Sequence, residues 1–143
     1  MGLVIRDDPP KVIDLTGREW GPEVDGLVLS IRELPREDPR QVTGVSVVTK
    51  NTSSEPKRFS IPPAAFFYRI HGLELTPFGR QFFSSAPKGQ NTVMTLAAGE
   101  ATETDLPLST MYDVRALGEY RVYVSCALPG GAELRSNEIT VRV

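Results

Sequence analysis

Apolar and polar residues alternate along most of this chain, in short runs separated by clusters of glycine, proline and asparagine. A period of two puts successive side chains on opposite faces, so each run predicts a strand with one face on a core. Leu27, Leu29 and Ile31 oppose Val28, Ser30 and Arg32. In a run from Gln41 to Lys50, Val45, Val47 and Thr49 oppose Gly44, Ser46 and Val48. Tyr120, Val122, Val124 and Cys126 oppose Arg121, Tyr123 and Ser125, and Ile139, Val141 and Val143 repeat the alternation beyond a hairpin turn at Pro129-Gly130-Gly131. Shorter strands are expected at Val12 to Leu15, Lys57 to Ile61, Thr92 to Leu96 and Ala101 to Asp105, with a brief helical turn at Ser109 to Tyr112. About seven to nine short strands, no convincing amphipathic helix and turns every 8–12 residues or so predict an all-β antiparallel sandwich of the immunoglobulin or fibronectin kind.

Two stretches break the pattern. Ala64 to Ile70 holds Phe66, Phe67 and Tyr68 in succession. Three adjacent rings cannot all point inward from a strand. Either this strand is covered on both sides, or one face presents aromatics to solvent or a partner. Between His71 and Asn91 the alternation weakens, with Phe78, Phe82 and Phe83 scattered among polar residues, Gly and Pro. A connection this long is a functional or structured loop more often than a plain linker. Its phenylalanines either face a partner or plug the open end of the sandwich.

The chain has 143 residues, enough for one core that buries roughly 68–70% of the unfolded chain's surface without a metal or disulfide staple. Residues 1–10, ending in Asp7-Asp8-Pro9-Pro10, read as a loose, flexible lead-in, and 11–143 as a single sandwich domain. Its first eight residues are too few and too polar for a signal peptide, and an ending on a strand fits a domain cut from a longer precursor as well as a complete small protein. The 16 Lys and Arg against 18 Asp and Glu leave a net charge of −2, with no field to draw in nucleic acid or anionic lipid. No apolar run approaches the ~20 residues of a membrane span. Cys126 stands alone and reads as a small buried side chain.

The sequence calls for no catalytic centre, metal or cofactor. A zinc site needs three or four converging ligands, and His71 and Cys126 are far apart in the chain. His71 is the one histidine available as a base, and no nucleophile signature accompanies it, so it reads as a loop residue. Asp7-Asp8, Glu37-Asp38 and the carboxylates between Glu100 and Asp105 lack the spacing of a calcium loop. Asn51-Thr52-Ser53 matches a glycosylation sequon within a polar turn, relevant only to a secreted eukaryotic protein.

Gly118, two residues before Tyr120 at the start of an alternating strand, resembles the tyrosine corner of immunoglobulin-like domains, with Val122 where antibody domains carry a cysteine. A wider resemblance covers Val45 to Val124. Asn51-Thr52-Ser53, Gly79-Arg80, Thr95 to Glu100, Leu108 to Val114 and Gly118 to Val122 follow in the order seen in the N-terminal sandwich that precedes the catalytic domain of deuterolysin-type and peptidyl-lysine metalloendopeptidases, and in related bacterial accessory domains. Pro107 departs from that pattern, which tends to an acidic residue there. The layout is similar, more weakly, to intracellular proteinase inhibitors of bacilli. The resemblance implies a non-catalytic accessory or protein-interaction domain of an exported bacterial protein, extracellular or periplasmic and monomeric, with a peptidase or cell-envelope protein as partner. The alternative is a proteinase inhibitor presenting the 73–89 loop or the aromatic strand. Phe66, Tyr68, Phe78, Arg80, Phe82 and Phe83 are the candidate partner-binding residues.

Overall fold

A computed structural model describes residues 13, 15–36, 44–84, 91–108, 111–113 and 118–142. The expected lead-in lies outside these residues, as does most of the Val12 to Leu15 segment, whose described members Ile13 and Leu15 are not in a strand. The fold is all-β and antiparallel. In chain order come β1 (Leu27–Glu33), β2 (Gly44–Asn51), β3 (Lys57–Ile61), α1 (Ala64–Phe67), β4 (Arg69–His71), β5 (Glu74–Leu75) and α2 (Pro77–Ser84). They are followed by β6 (Thr92–Leu96), β7 (Ala101–Pro107), β8 (Tyr112–Asp113), β9 (Glu119–Ala127), β10 (Glu133–Arg135) and β11 (Ile139–Arg142). Seven of these strands have four residues or more, and the short β4, β5, β8 and β10 make up the rest.

One sheet has the order β1-β2-β7; in a second, β9 pairs with β4 on one side and with β10 and β11 on the other. Alternation decides what each offers the interior. Leu27, Leu29, Ile31, Val45, Val47 and Leu106 from the first sheet and Ile70, Val122, Val124, Cys126, Leu134 and Val141 from the second form one buried cluster. Strand β2 is buried on its other face too. There Arg18, itself buried, lies across the sheet, donating to Ser46 Oγ at 2.8 Å and pairing with Glu103 at 3.3 Å.

Strands β2 and β3 run on as one bent line, antiparallel to β6 and β7: Lys50 faces Ala101 before the corner and Lys57 faces Leu96 after it. Asn51 sits at the bend with no exposed surface. Its backbone N–H donates to Glu100 O at 2.9 Å and its carbonyl accepts from Gly99 N–H at 2.8 Å. The side-chain Nδ2 donates to Glu55 O at 2.7 Å, Leu96 O at 3.1 Å and Ala97 O at 3.2 Å. Oδ1 accepts from Ser53 N at 2.9 Å and Ser53 Oγ at 2.6 Å. The sequon nitrogen is thus spent inside the corner, and the folded chain has no room for a sugar on it.

Several sequence expectations are corrected here. Ala64 to Phe67 is a helical turn, not a strand: Phe67 N–H donates to Pro63 O at 3.0 Å and Tyr68 N–H to Ala64 O at 3.0 Å. The turn resolves the crowding of rings, because steps of about 100° send Phe67 into the core while Phe66 stays half-buried outside it. Tyr68, expected at a partner surface, is 2% exposed, and its hydroxyl lies 2.7 Å from Thr49 Oγ1 across the core. The segment after His71 holds an amphipathic helix, α2, where none was expected. Of the helical turn expected at Ser109 to Tyr112, Ser109 and Thr110 lie outside the described residues, while Tyr112 N–H donates to Leu108 O at 3.0 Å and Tyr112 opens β8. Tyr120 is half-buried against the core, and the upstream residues 114–117 lie outside the described ones.

Two outcomes follow. Asn51→Ala strips three carbonyls of their donor, that of Leu96 buried and those of Glu55 and Ala97 partly so, and should lower unfolding free energy by about 1–3 kcal/mol in urea titrations, and Asn51→Asp, which turns a carboxylate towards them, by at least as much. An unchanged urea midpoint in both variants would deny the corner its role. Burial also pushes the Tyr68 phenol from 10.0 up to about 12, against a smaller lowering by the Thr49 hydrogen bond, and the Cys126 thiol from 9.0 up to about 12. Both groups stay protonated in the folded chain where the unfolded chain has released the proton, so their contribution is intact below pH 9 and lost as pH rises from 9 to about 12. Urea midpoints measured across that range should fall, and the fall should be smaller in Tyr68→Phe.

Candidate functional site

The segment 74–84 is built by a short set of local rules. Thr76 precedes Pro77, and its Oγ1 accepts from Gly79 N–H at 3.0 Å, an N-cap followed by proline in the first helical position. Arg80 N–H donates to Thr76 O at 2.9 Å, and Thr76 N–H to Met111 O at 3.0 Å, which pins the start of α2 beside β8. Gly79 is the closest contact: a Cβ there would stand 2.2 Å from Met111 O. Only glycine lets the helix lie directly on that backbone. β5 pairs with β8, Leu75 facing Tyr112, and completes the seat of the helix.

With α2 seated, four of the six sequence-chosen residues meet. Phe66 stacks on Phe82 with ring centroids 4.7 Å apart and meets Phe83 edge-on at 6.0 Å. Phe82 and Phe83 are 5.4 Å apart, and Phe78, one helical turn before Phe82, lies 6.3 Å from it. Phe82 and Phe83 pack half-buried on the core, whereas Phe78 is 58% exposed. Arg80 is exposed on the same helix. Tyr68 does not join them.

Beside the aromatic ridge, a cleft of about 250 Å³ opens between β4 and α2. Ile70, Leu75 and Tyr112 line it from the core side, and Arg69, His71 and Phe83 from the surface side. Gly72, at φ +98° with Arg121 O only 2.0 Å from any Cβ, carries the chain sharply out of β4. The Arg69 guanidinium lies over the Phe83 ring at 5.4 Å. Burial raises the Tyr112 phenol above its ordinary range, while a hydrogen bond with the Ile70 backbone and the nearby Arg69 charge work the other way.

His71 is a strand residue and not a loop residue. Its ring stacks on Tyr123 at 4.5 Å, Arg135 covers Tyr123 at 4.1 Å, and Nε2 lies 2.7 Å from Ser125 Oγ. A serine beside an imidazole is half of a nucleophilic pair. Here Ser125 is 5% exposed in the middle of β9, with Arg69 and Arg135 as its register partners. The contact holds the imidazole flat against Tyr123 and leaves the hydroxyl covered. Among the described residues, no three His, Cys, Asp or Glu side chains come together as a metal site, and no helix is long and apolar enough to cross a membrane.

Arg69, Tyr112, Tyr123 and Arg135 were not singled out from the sequence as site residues, and His71, weighed only as a base or metal ligand, reads there as a loop residue. The outward alternation of Tyr123 and Ser125 was readable, but which strand would lie beside them was not. No protein-family model matches the chain, and no curated protein matches it either.

Gly79→Ala should force α2 off the Met111 backbone. Overpacking of this kind costs about 1–3 kcal/mol, and the near-ultraviolet circular dichroism of the phenylalanine cluster should weaken in step with the loss. A variant as stable as the parent, with the same spectrum, would show that the close approach is dispensable.

Proposed function

We propose that this chain is a non-catalytic protein-interaction domain whose contact face is the aromatic ridge of α1 and α2. The observation that carries the reading is Phe78, 58% exposed at the crest of a stacked phenylalanine cluster with Arg80 on the same helix. Large aromatics and arginine are the residues that most often supply the binding energy of protein interfaces. An exposed ring backed by other rings is rigid before binding, so little ordering entropy opposes contact. Single exposed apolar residues are ordinary, but Phe78 is continuous with three further rings.

The resemblance of Val45 to Val124 to accessory sandwiches of metalloendopeptidases supports an exported bacterial setting, extracellular or periplasmic, with a peptidase or envelope protein as partner. An inhibitor would use the same face with a peptidase bound. Within the 73–89 segment Glu74–Leu75 is strand and Pro77–Ser84 is helix, so an inhibitor would offer the surface of α2 as part of its contact.

A photoreactive phenylalanine analogue at position 78, with Thr140 on the far strand β11 as control, should cross-link one protein in envelope extracts of the producing cell. The purified partner should bind Phe78→Glu at least about tenfold more weakly than the parent chain, with unchanged thermal stability. Parallel assays of serine and metallopeptidases with micromolar protein separate the inhibitor: slowing that Phe78→Glu abolishes identifies it. Equal binding by the variant would dismiss the ridge, and chelator-sensitive peptidase activity of the chain itself would dismiss the non-catalytic reading.

A further inference from the structure

We infer that the cleft between β4 and α2 is an anchor socket, taking one apolar side chain of a protein partner whose flanking residues are acidic. The inference rests on reading this face as protein-binding and adds the chemistry of what is bound.

Size sets the first limit. At about 250 Å³ the cleft falls below the ~300–1,000 Å³ common for small-molecule and cofactor pockets, and it suits a single inserted side chain. Its lining sets the second. Ile70, Leu75, Tyr112 and Phe83 offer an apolar floor and wall, and such desolvated pockets are where interface anchors seat.

Charge sets the third. Among the described residues the polar lining is Arg69 and His71, and no carboxylate is part of it. Glu74 and Asp113 are register partners of each other on β5 and β8 and stand outside it. Arg69 lies over Phe83 and, among the described residues, is in no ion pair, which suits it to a visiting carboxylate. Arg80 adds a second exposed cation on the adjoining helix. A buried apolar residue between acidic neighbours would satisfy both the floor and the rim.

The mode of entry is constrained as well. β4 has a sheet partner on one side, β9, and is only three residues long, too short an edge to template an added strand, so recognition proceeds by insertion of a side chain.

Three capped peptides test the inference on the ¹⁵N-labelled protein: acetyl-Glu-Leu-Asp-amide, its basic counterpart acetyl-Lys-Leu-Lys-amide, and acetyl-Glu-Ala-Asp-amide without the anchor. The first should shift the amides of Ile70, Gly72, Leu75 and Tyr112 saturably, in the millimolar range expected of so small a contact. The basic peptide should bind at least about tenfold more weakly, and the alanine peptide should give no saturable shift. Arg69→Gln should weaken the first peptide about fivefold, whereas Arg142→Gln, far along β11, should leave it unchanged. No shift at about 10 mM peptide, equal binding of acidic and basic peptides, or shifts centred elsewhere would each overturn the socket. Those results leave the Phe78 contact to its own cross-linking assay, while loss of the Phe78 effect with intact peptide binding would reject the ridge and keep the socket.

Discussion

A sandwich must turn its strands from one layer towards the other, and every bend interrupts a ladder of backbone hydrogen bonds inside the protein. Here one amide side chain repairs the interruption. Asn51, itself fully buried, supplies donors to three carbonyls and accepts two bonds in return at the corner. No other residue type of this size offers two donors and an acceptor at the end of one short stem. Because β2, β3, β6 and β7 all meet at this corner, the first sheet and the β3–β6 ribbon keep their mutual register through it.

The core between the sheets is then closed by a second polar contact, between Tyr68 and Thr49. Tyr68 is the last residue of the aromatic run before β4, so this bond fixes where β4 begins. From there the consequences run outward: β4 sets Arg69 and His71, the Gly72 turn releases the chain to β5, and β5 with β8 makes the platform on which α2 lies. The aromatic ridge is thus a by-product of the core's need to place one tyrosine.

The long strands were legible because they carry alternation over enough residues to outweigh other signals. β1, β2, β9 and β11 fall on the stretches expected, and Cys126 lies in the core as its type suggests. Ala64 to Phe67 misled because a single helical turn is shorter than the period that would announce it. Pro62-Pro63 was the available sign, since proline favours the start of a turn. Helix α2 could have been found from Thr76-Pro77 and the four-residue spacing of Phe78 and Phe82. The cluster of Phe66, Phe78, Phe82 and Phe83 was legible as a set of aromatics without a home in the sandwich. Arg69 and His71 were not legible, because their role depends on β4 lying beside β9, a pairing between segments more than fifty residues apart that local pattern does not encode.

The outer edge of β1 illustrates a different economy. Gly21 N–H donates to Leu29 O at 3.0 Å, and the Asn137 side chain both accepts from Ile31 N–H at 2.8 Å and donates to Ile31 O at 3.1 Å. An amide side chain here imitates one residue of a neighbouring strand and then stops. A sheet edge finished in this way offers no template on which another chain could continue the ladder. The seven-residue strand, rich in Leu, Val and Ile, is thereby capped along its outer edge at Leu29 and Ile31, where a neighbouring copy would otherwise find free donors and acceptors.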